Sequence, residues 1–303
     1  MNIYIKGVDL KTFTIRRLRK LSLFNKFFPL GTGGSPEYSF RVWAKHLSKL
    51  RSNGITEVPE IVAELGPGST LGAGIAALLS GSKSYYALDV QNYISKEELL
   101  RDFDAMVKIF KERRITGEIF PSDLLPDTQL EISLNDERIA SIRKDIQENG
   151  ANGKYIKYFA PWNDDKLVKY DTVDFIFSQC VLEHVDGLED CYTSMNKWMK
   201  KDGYTSHLVD FQCHAFTEKW NGHWAFSEKQ WMFVKGSNSW AINRLPASKH
   251  IEFINKANFS TIEFFRRKEK IELGISRAML DSEFSYLTDE DLETTFIDIL
   301  LKK

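Results

Sequence analysis

Residues 62–70 read Val-Ala-Glu-Leu-Gly-Pro-Gly-Ser-Thr, just past the first fifth of a 303-residue chain. A hydrophobic run leads into a turn with two glycines, and residues with helical spacing follow. Gly66 and Gly68 allow backbone conformations, or a close approach by a ligand, that a Cβ atom would block. The N-terminus of the helix that follows directs its free N–H groups at the same place. The stretch therefore predicts a strand, a ligand-binding turn and a helix.

A second strand follows, and it ends in an acid. Residues 85–89 read Tyr-Tyr-Ala-Leu-Asp, and an acid at this place commonly holds two ribose hydroxyls in enzymes that bind nucleotide-like cofactors. The dinucleotide fingerprint needs a third glycine, but this chain has Leu71 there. The carboxylate of Glu64 would repel a pyrophosphate and attract a cationic group. Asp89 and Glu64 therefore favour a cationic cofactor over NAD.

The rest of the chain alternates between strand-like and helix-like segments, which predicts parallel βαβ units. The predicted strands are 61–65, 84–88, 155–159, 173–178 and 204–211, and the predicted helices are 38–53, 70–79, 96–113, 134–148 and 188–199. Such a chain forms a doubly wound sheet and binds its ligand outside the carboxyl ends of the strands.

Together these motifs resemble those of class I S-adenosylmethionine (SAM)-dependent methyltransferases. Residues 170–178 resemble the fourth strand of that family, residues 181–185 its Leu-Glu-His-Val run, and residues 200–204 the turn into strand five, so the similarity covers about residues 60–211. The resemblance implies a Rossmann-like α/β fold with a mostly parallel, seven-stranded sheet, and SAM as the cofactor. The cofactor-binding residues that it implies are Glu64, Gly66, Pro67, Gly68, Asp89, Val90, Ala160, Trp162, Ser178 and Gln179.

The predicted organisation has an N-terminal helical appendage and cap at residues 1–58 and a methyltransferase domain at residues 59–303. Within that domain, residues 91–154 form a helical insertion between strands two and three, and residues 211–260 form an aromatic insert on the acceptor side. The C-terminal segment 289–301 has helical spacing. The sequence leaves open whether this segment closes the domain or pairs two subunits, and it does not determine the oligomeric state.

Histidines near the ends of strands four and five are the candidates for a catalytic role toward the acceptor. A hydroxyl acceptor is a weak acid and benefits from a general base. We expect His214 to be that base, assisted by Asp210, with His184 as the second candidate. A cluster of these residues could instead bind a divalent metal, but no compact metal-binding motif is present, so no metal is expected.

The aromatic insert supplies candidates for binding the acceptor. Aromatic faces stack on sugar rings, and an arginine can clamp a carboxylate or phosphate. The predicted substrate-binding residues are Trp220, His223, Trp224 and Arg244. Parts of the chain are similar to methyltransferases associated with bacterial surface-polysaccharide synthesis, which implies O-methylation of a sugar hydroxyl. An N- or carboxyl-methyltransferase of another small metabolite, a non-catalytic SAM-binding module and an NAD-dependent oxidoreductase are the alternatives.

Composition limits the partners and the compartment. The formal net charge is −1, and a protein that grips a nucleic-acid backbone usually carries a basic surplus. A small molecule or glycan is therefore the expected acceptor. Three cysteines without a CxxC pair, and the lack of a signal peptide, favour a cytoplasmic protein. The basic, amphipathic residues 1–35 suit either a helix that packs on the domain or peripheral contact with an anionic membrane.

Overall fold

The structure is a computed structural model that describes residues 34–115, 118–119, 124–162, 164–214, 216–236 and 241–303. Nearly all of the basic N-terminal segment, for which membrane contact was one prediction, lies outside these residues. Within the described ranges, no helix combines the length and the apolar character that a membrane span needs.

Nine strands form the two described sheets. They are β1 (Ile61–Leu65), β2 (Ser84–Leu88), β3 (Arg114–Ile115), β4 (Glu118–Ile119), β5 (Ile156–Phe159), β6 (Val173–Gln179), β7 (Met199–Asp210), β8 (Ser260–Lys268) and β9 (Thr294–Lys302). The main sheet has seven strands in the order β5-β2-β1-β6-β7-β9-β8, and β3 pairs with β4. The strands from β5 to β7 pair in parallel, whereas β9 is antiparallel to β7 and β8. The predicted mostly parallel, seven-stranded α/β fold is confirmed.

Helices lie between most of these strands. They are α1 (Pro36–Ser52), α2 (Gly72–Ser80), α3 (Lys96–Glu112), α4 (Asp127–Ser133), α5 (Asp136–Asn149), α6 (Leu188–Trp198), α7 (Glu228–Lys235), α8 (Ala247–Lys256) and α9 (Asp289–Glu293). Local sequence explains the starts of the long ones. Ser35 caps α1 by accepting from the Tyr38 N–H, and Ser95 forms a capping box with Glu98 at α3.

The C-terminal segment does not have the predicted structure. Only Asp289–Glu293 is helical, and Thr294–Lys302 is the strand β9. The helical prediction was wrong because apolar residues occur on both faces of a strand that is inserted between two others. Ile297, Ile299 and Leu301 pack on one side, whereas Leu300 packs on the other.

Two hydrophobic clusters sandwich the sheet. Side chains alternate along a strand, so Phe175 and Phe177 of β6 face one cluster while Ile176 faces the other. The first cluster includes residues of α1, α2, α3 and α5, and the second includes residues of α6 and α8. Helices from the predicted segments 1–58 and 91–154 therefore share one core with the central strands.

Trp43 connects α1 to that core. Its side chain is fully buried, its indole N–H donates to Ser80 Oγ over 2.8 Å, and its ring packs edge-on against Phe175 at 6.3 Å. Because α1 begins beside the ligand-binding edge of the sheet, this packing positions the residues of its first turn.

We expect Trp43→Ala to lower the free energy of unfolding by about 3–5 kcal/mol, because it leaves a large cavity and removes the indole hydrogen bond to Ser80. Ser48→Ala, at an exposed position of the same helix, should change it by less than about 0.5 kcal/mol. Chemical denaturation of both variants measures the difference. A loss below about 1 kcal/mol in Trp43→Ala would mean that α1 is not an integral part of the core.

Candidate functional site

The turn after β1 has no room for a side chain at Gly66. Gly66 has a φ of 65°, and a Cβ atom there would lie 2.6 Å from Val181 Cγ1. The Gly66 N–H donates to the Leu88 carbonyl over 2.7 Å. The turn is thus joined to the end of β2 and pressed against the loop after β6. Only glycine satisfies both the backbone angle and the contact.

Asp89 lies directly after β2 and faces this turn. Its two carboxylate oxygens accept from the backbone N–H groups of Gly68, over 2.8 Å, and Val90, over 2.7 Å. Burial raises the pKa of Asp89, and the N–H groups of Gly68, Val90 and Gln91 oppose that rise. The N–H of Trp162 donates to the main-chain carbonyl of Asp89 over 2.9 Å. One residue therefore orders three loops.

Glu64 is a buried acid on the neighbouring strand. The hydroxyl of Tyr85 donates to Glu64 Oε2 over 2.5 Å. Burial raises the pKa of Glu64 to about 8, with a smaller contribution from the charge of Asp89, while the Tyr85 hydrogen bond acts in the opposite direction. Tyr85 reaches Glu64 because Gly74 of α2 lets its ring pass: a Cβ atom there would lie 2.1 Å from the ring.

A cavity of about 1020 Å³ lies over these residues at the carboxyl ends of the strands. Nine of the residues that were predicted to bind cofactor or to act in catalysis line it: Glu64, Gly66, Pro67, Gly68, Asp89, Val90, Trp162, Gln179 and His184. Ala160, Ser178, Asp210 and His214 are not on its wall. Ser178 is fully buried, and its hydroxyl is hydrogen-bonded to His207 Nδ1 over 2.7 Å.

The cavity has further walls that the sequence analysis did not identify. Tyr38 and Ser39 of α1 border it, as do Asp190 and Ser194 of α6 and Lys235 of α7. Ser35 and Pro36 signal the start of α1, but no local pattern indicates that this helix start meets the sheet edge. Contacts of this kind depend on the three-dimensional arrangement alone.

Acidic and histidine side chains meet at the ends of β6 and β7. Glu183 and His184 lie on a single 3₁₀ turn after β6, and His214 lies four residues beyond Asp210, the last residue of β7. The rings of His184 and His214 are 5.2 Å apart, and Glu183 Oε1 is 3.9 Å from His184 Nε2. We call Glu183, His184, Asp210 and His214 the acid–histidine cluster. The structure thus brings together all three predicted catalytic residues and adds Glu183.

Glu183 is the most buried member of the cluster, with 2% of its surface exposed. Neither of its carboxylate oxygens has a hydrogen-bond partner of normal geometry among the described residues. Burial raises its pKa well above the usual range; the backbone N–H groups of Glu183 and Asp210 oppose that rise, and the charge of Asp210 adds to it. Burial also raises the pKa of Asp210, and the charge of His214 opposes that rise.

The four predicted substrate-binding residues do not line the cavity. Trp224 is fully buried and its indole N–H donates to the carbonyl of Arg244 over 2.8 Å, while His223 packs on its ring at 4.5 Å. The guanidinium of Arg244 donates to the carbonyl of Phe226 and pairs with Glu228. Trp220 is half-buried. These contacts are those of a packed core, since the donors of Arg244 are used within the protein.

Cys180 lies on the cavity wall but is unsuited to be a nucleophile. Burial raises the pKa of its thiol to about 12, with the charge of Glu183 adding to the effect. The thiol is therefore protonated at neutral pH, and the thiolate is the nucleophilic form. A protonated thiol does not favour the covalent mechanism of cytosine-C5 methylation.

No protein-family model matches the sequence, and no curated protein matches it. Solved structures are similar in fold. A SAM-dependent methyltransferase from Mesorhizobium loti is 11% identical, with a TM-score of 0.41, over 90% of this chain and all of the other. Geranyl diphosphate C-methyltransferase from Streptomyces coelicolor is 11% identical, with a TM-score of 0.44, over 86% of this chain and 75% of the other.

Phosphoethanolamine N-methyltransferase 2 from Haemonchus contortus, solved with SAM, is 13% identical, with a TM-score of 0.45. The similarity covers 95% of this chain and 60% of the other. At these identities the neighbours do not indicate the activity of this chain, which depends on its own residues.

Proposed function

We propose that this protein is a SAM-dependent methyltransferase that methylates a hydroxyl group of a sugar or of a sugar-containing intermediate. The observation that carries the proposal is that Glu64, Asp89 and His184 line one cavity at the carboxyl edge of the sheet. The first two suit the cofactor, and the third belongs to the cluster that suits a hydroxyl acceptor.

The two buried acids fit the polar groups of SAM. Each carboxylate oxygen has two lone pairs, so Asp89 has acceptor capacity left for ribose hydroxyls beyond its bonds to Gly68 and Val90. Glu64 would hold the ammonium group of the methionine portion. When bound, SAM supplies a methyl group on a positively charged sulfur. Trp162 and Val90 would border the adenine, and Gln179 the methionine portion.

The protonation of Glu64 separates SAM from NAD. With a pKa of about 8, its carboxyl group is mostly neutral at pH 7. A cation that approaches it stabilises the ionised form and gains an ion pair. The negative charge of a pyrophosphate would favour the neutral form of Glu64, so no ion pair would form. The site therefore favours a cationic ligand.

The acid–histidine cluster supports a hydroxyl acceptor. A hydroxyl oxygen must lose its proton as it gains the methyl group, whereas a neutral amine has a free lone pair. We assign His214 as the base, because the charge of Asp210 nearby stabilises a protonated imidazole. His184 lines the cavity, and its ring lies 5.2 Å from that of His214, so His184 would orient the hydroxyl.

Polar side chains on the cavity wall support a sugar as the acceptor. Asp186, Asp190 and Ser194 line the cavity and offer hydrogen-bond acceptors to sugar hydroxyls. Recognition would then depend on these residues of the wall and not on the tryptophans of the aromatic insert.

The first test is calorimetric titration of the protein with SAM and, in parallel, with NAD. We expect SAM to bind and NAD to give no signal. Asp89→Ala should weaken SAM binding by about tenfold to a hundredfold, because a charged hydrogen-bond partner is lost. Glu60→Gln, an exposed acid that precedes β1 at the opposite edge, is the control and should bind normally. Binding of NAD alone would overturn the proposal.

The affinity for SAM should depend on pH through Glu64. Below about pH 8 the free protein must release the Glu64 proton to bind a cation, so affinity should rise with pH by up to about tenfold per unit. It should level off near pH 8, where the amino group of SAM also loses its proton. Glu64→Gln should bind weakly and lack the rise. An identical pH profile in that variant would show that Glu64 does not contact the ammonium group.

His214→Asn should lower turnover by about a hundredfold to ten-thousandfold with SAM affinity unchanged, as expected for loss of a general base. Asparagine suits the test because His214 has a φ of 48°, which asparagine tolerates. The measurement is methyl transfer to a panel of sugar acceptors across a range of pH. Full activity in this variant would point to an amine or carboxyl acceptor, for which no base is needed.

A further inference from the structure

We propose that Glu183, His184 and His214 form a binding site for a divalent transition-metal cation at the wall of the cavity. Each of the three offers one ligand atom, and these atoms all lie within 4.8 Å of one another. They come from two loops that only the pairing of β6 with β7 brings together.

The spacing is close to that of a metal site. A cation about 2.0–2.2 Å from each ligand atom holds neighbouring ligand atoms roughly 3–4 Å apart. Glu183 Oε1 and His184 Nε2 already lie 3.9 Å apart. A movement of about 1 Å would bring the remaining ligand atom into range.

The environment of Glu183 is the second, independent observation. Buried carboxyl groups are nearly always hydrogen-bonded, and one that is not needs an explanation. Among the described residues, neither oxygen of Glu183 has a hydrogen-bond partner of normal geometry, although 98% of the residue is shielded from solvent. A cation would satisfy both oxygens and balance the adjacent carboxyl groups of Glu183 and Asp210.

The donor set indicates the kind of cation. Two imidazole nitrogens and one carboxylate are the ligands of Zn²⁺ and of similar ions such as Mn²⁺ and Co²⁺. Mg²⁺ and Ca²⁺ prefer oxygen ligands alone. Three protein ligands also leave at least one coordination position open, as in catalytic zinc sites.

The open coordination position would allow the cation to bind an oxygen atom of the acceptor. His184 lies on the cavity wall, so a cation bound beside it would be within reach of a hydroxyl oxygen of the acceptor. This role rests on the proposed function, and cation binding itself does not. With a cation bound, His214 would be a ligand, and the cation would take over from the histidine base by stabilising the deprotonated hydroxyl.

The test is titration of the chelator-stripped, full-length protein, without a histidine tag, with ZnCl₂ or CoCl₂ by calorimetry and by visible absorption. We expect one equivalent of Zn²⁺ to bind, and Co²⁺ to produce absorption bands typical of low coordination number. Glu183→Gln and His214→Asn should each weaken Zn²⁺ binding at least about tenfold. Glu189→Gln, an exposed acid on α6, should bind as the unmodified protein does.

Thermal unfolding of each variant in the presence of chelator verifies that it is folded. Glu183→Gln is well suited, because it removes a buried acid without changing its shape. Absence of Zn²⁺ and Co²⁺ binding, or equal affinity in Glu183→Gln, would overturn the metal site and leave a purely hydrogen-bonding cluster. SAM titration of the stripped protein is a separate readout: its failure would contradict the proposed function and leave the cation result intact.

Discussion

The site depends on the close approach of three chain segments at Gly66. Its N–H is bonded to the end of β2, its backbone adopts a left-handed angle, and the side chain of Val181 from the loop after β6 occupies the place of a Cβ atom. Three neighbouring strands of the sheet are thus held in a fixed relation at their carboxyl ends. Because of this contact, acids on β1 and after β2 and the histidine after β6 face one cavity.

Two buried acids on that edge differ in their hydrogen-bond partners. Glu64 receives a hydrogen bond from Tyr85, whose ring fits only because Gly74 lacks a side chain. Glu183 has no comparable partner among the described residues. Both carboxyl groups have raised pKa values because of burial. Burying an ionised carboxyl group costs free energy unless the group is paired. A nearby positive charge would therefore stabilise the ionised form of Glu64 and of Glu183. The proposed cationic cofactor and the proposed metal have this electrostatic cause in common.

The parts added to the central strands enclose the cavity and stabilise the core. Helix α1 carries Trp43 into the first hydrophobic cluster and brings Tyr38 to the cavity wall. Helix α7 brings Lys235 to the same cavity, while Arg244 and Trp224 form a buried support behind it. In the described part of the aromatic insert, most large side chains therefore pack together, and Lys235 borders the cavity.

The sequence by itself determined the alternation of strands and helices, the glycine turn, and the acids at the ends of two strands. These follow from local rules: a period of two or of 3.6 residues, and the conformational freedom of glycine. Tertiary structure alone decided that 294–302 is a strand, because a sheet with two neighbours buries both faces of a segment that by its own spacing resembles a helix. It also decided that Glu183 meets His214, since these residues are far apart in the sequence and become neighbours through the pairing of β6 with β7. Burial determines whether Arg244 and Trp224 face a ligand or the core, and burial depends on the whole fold.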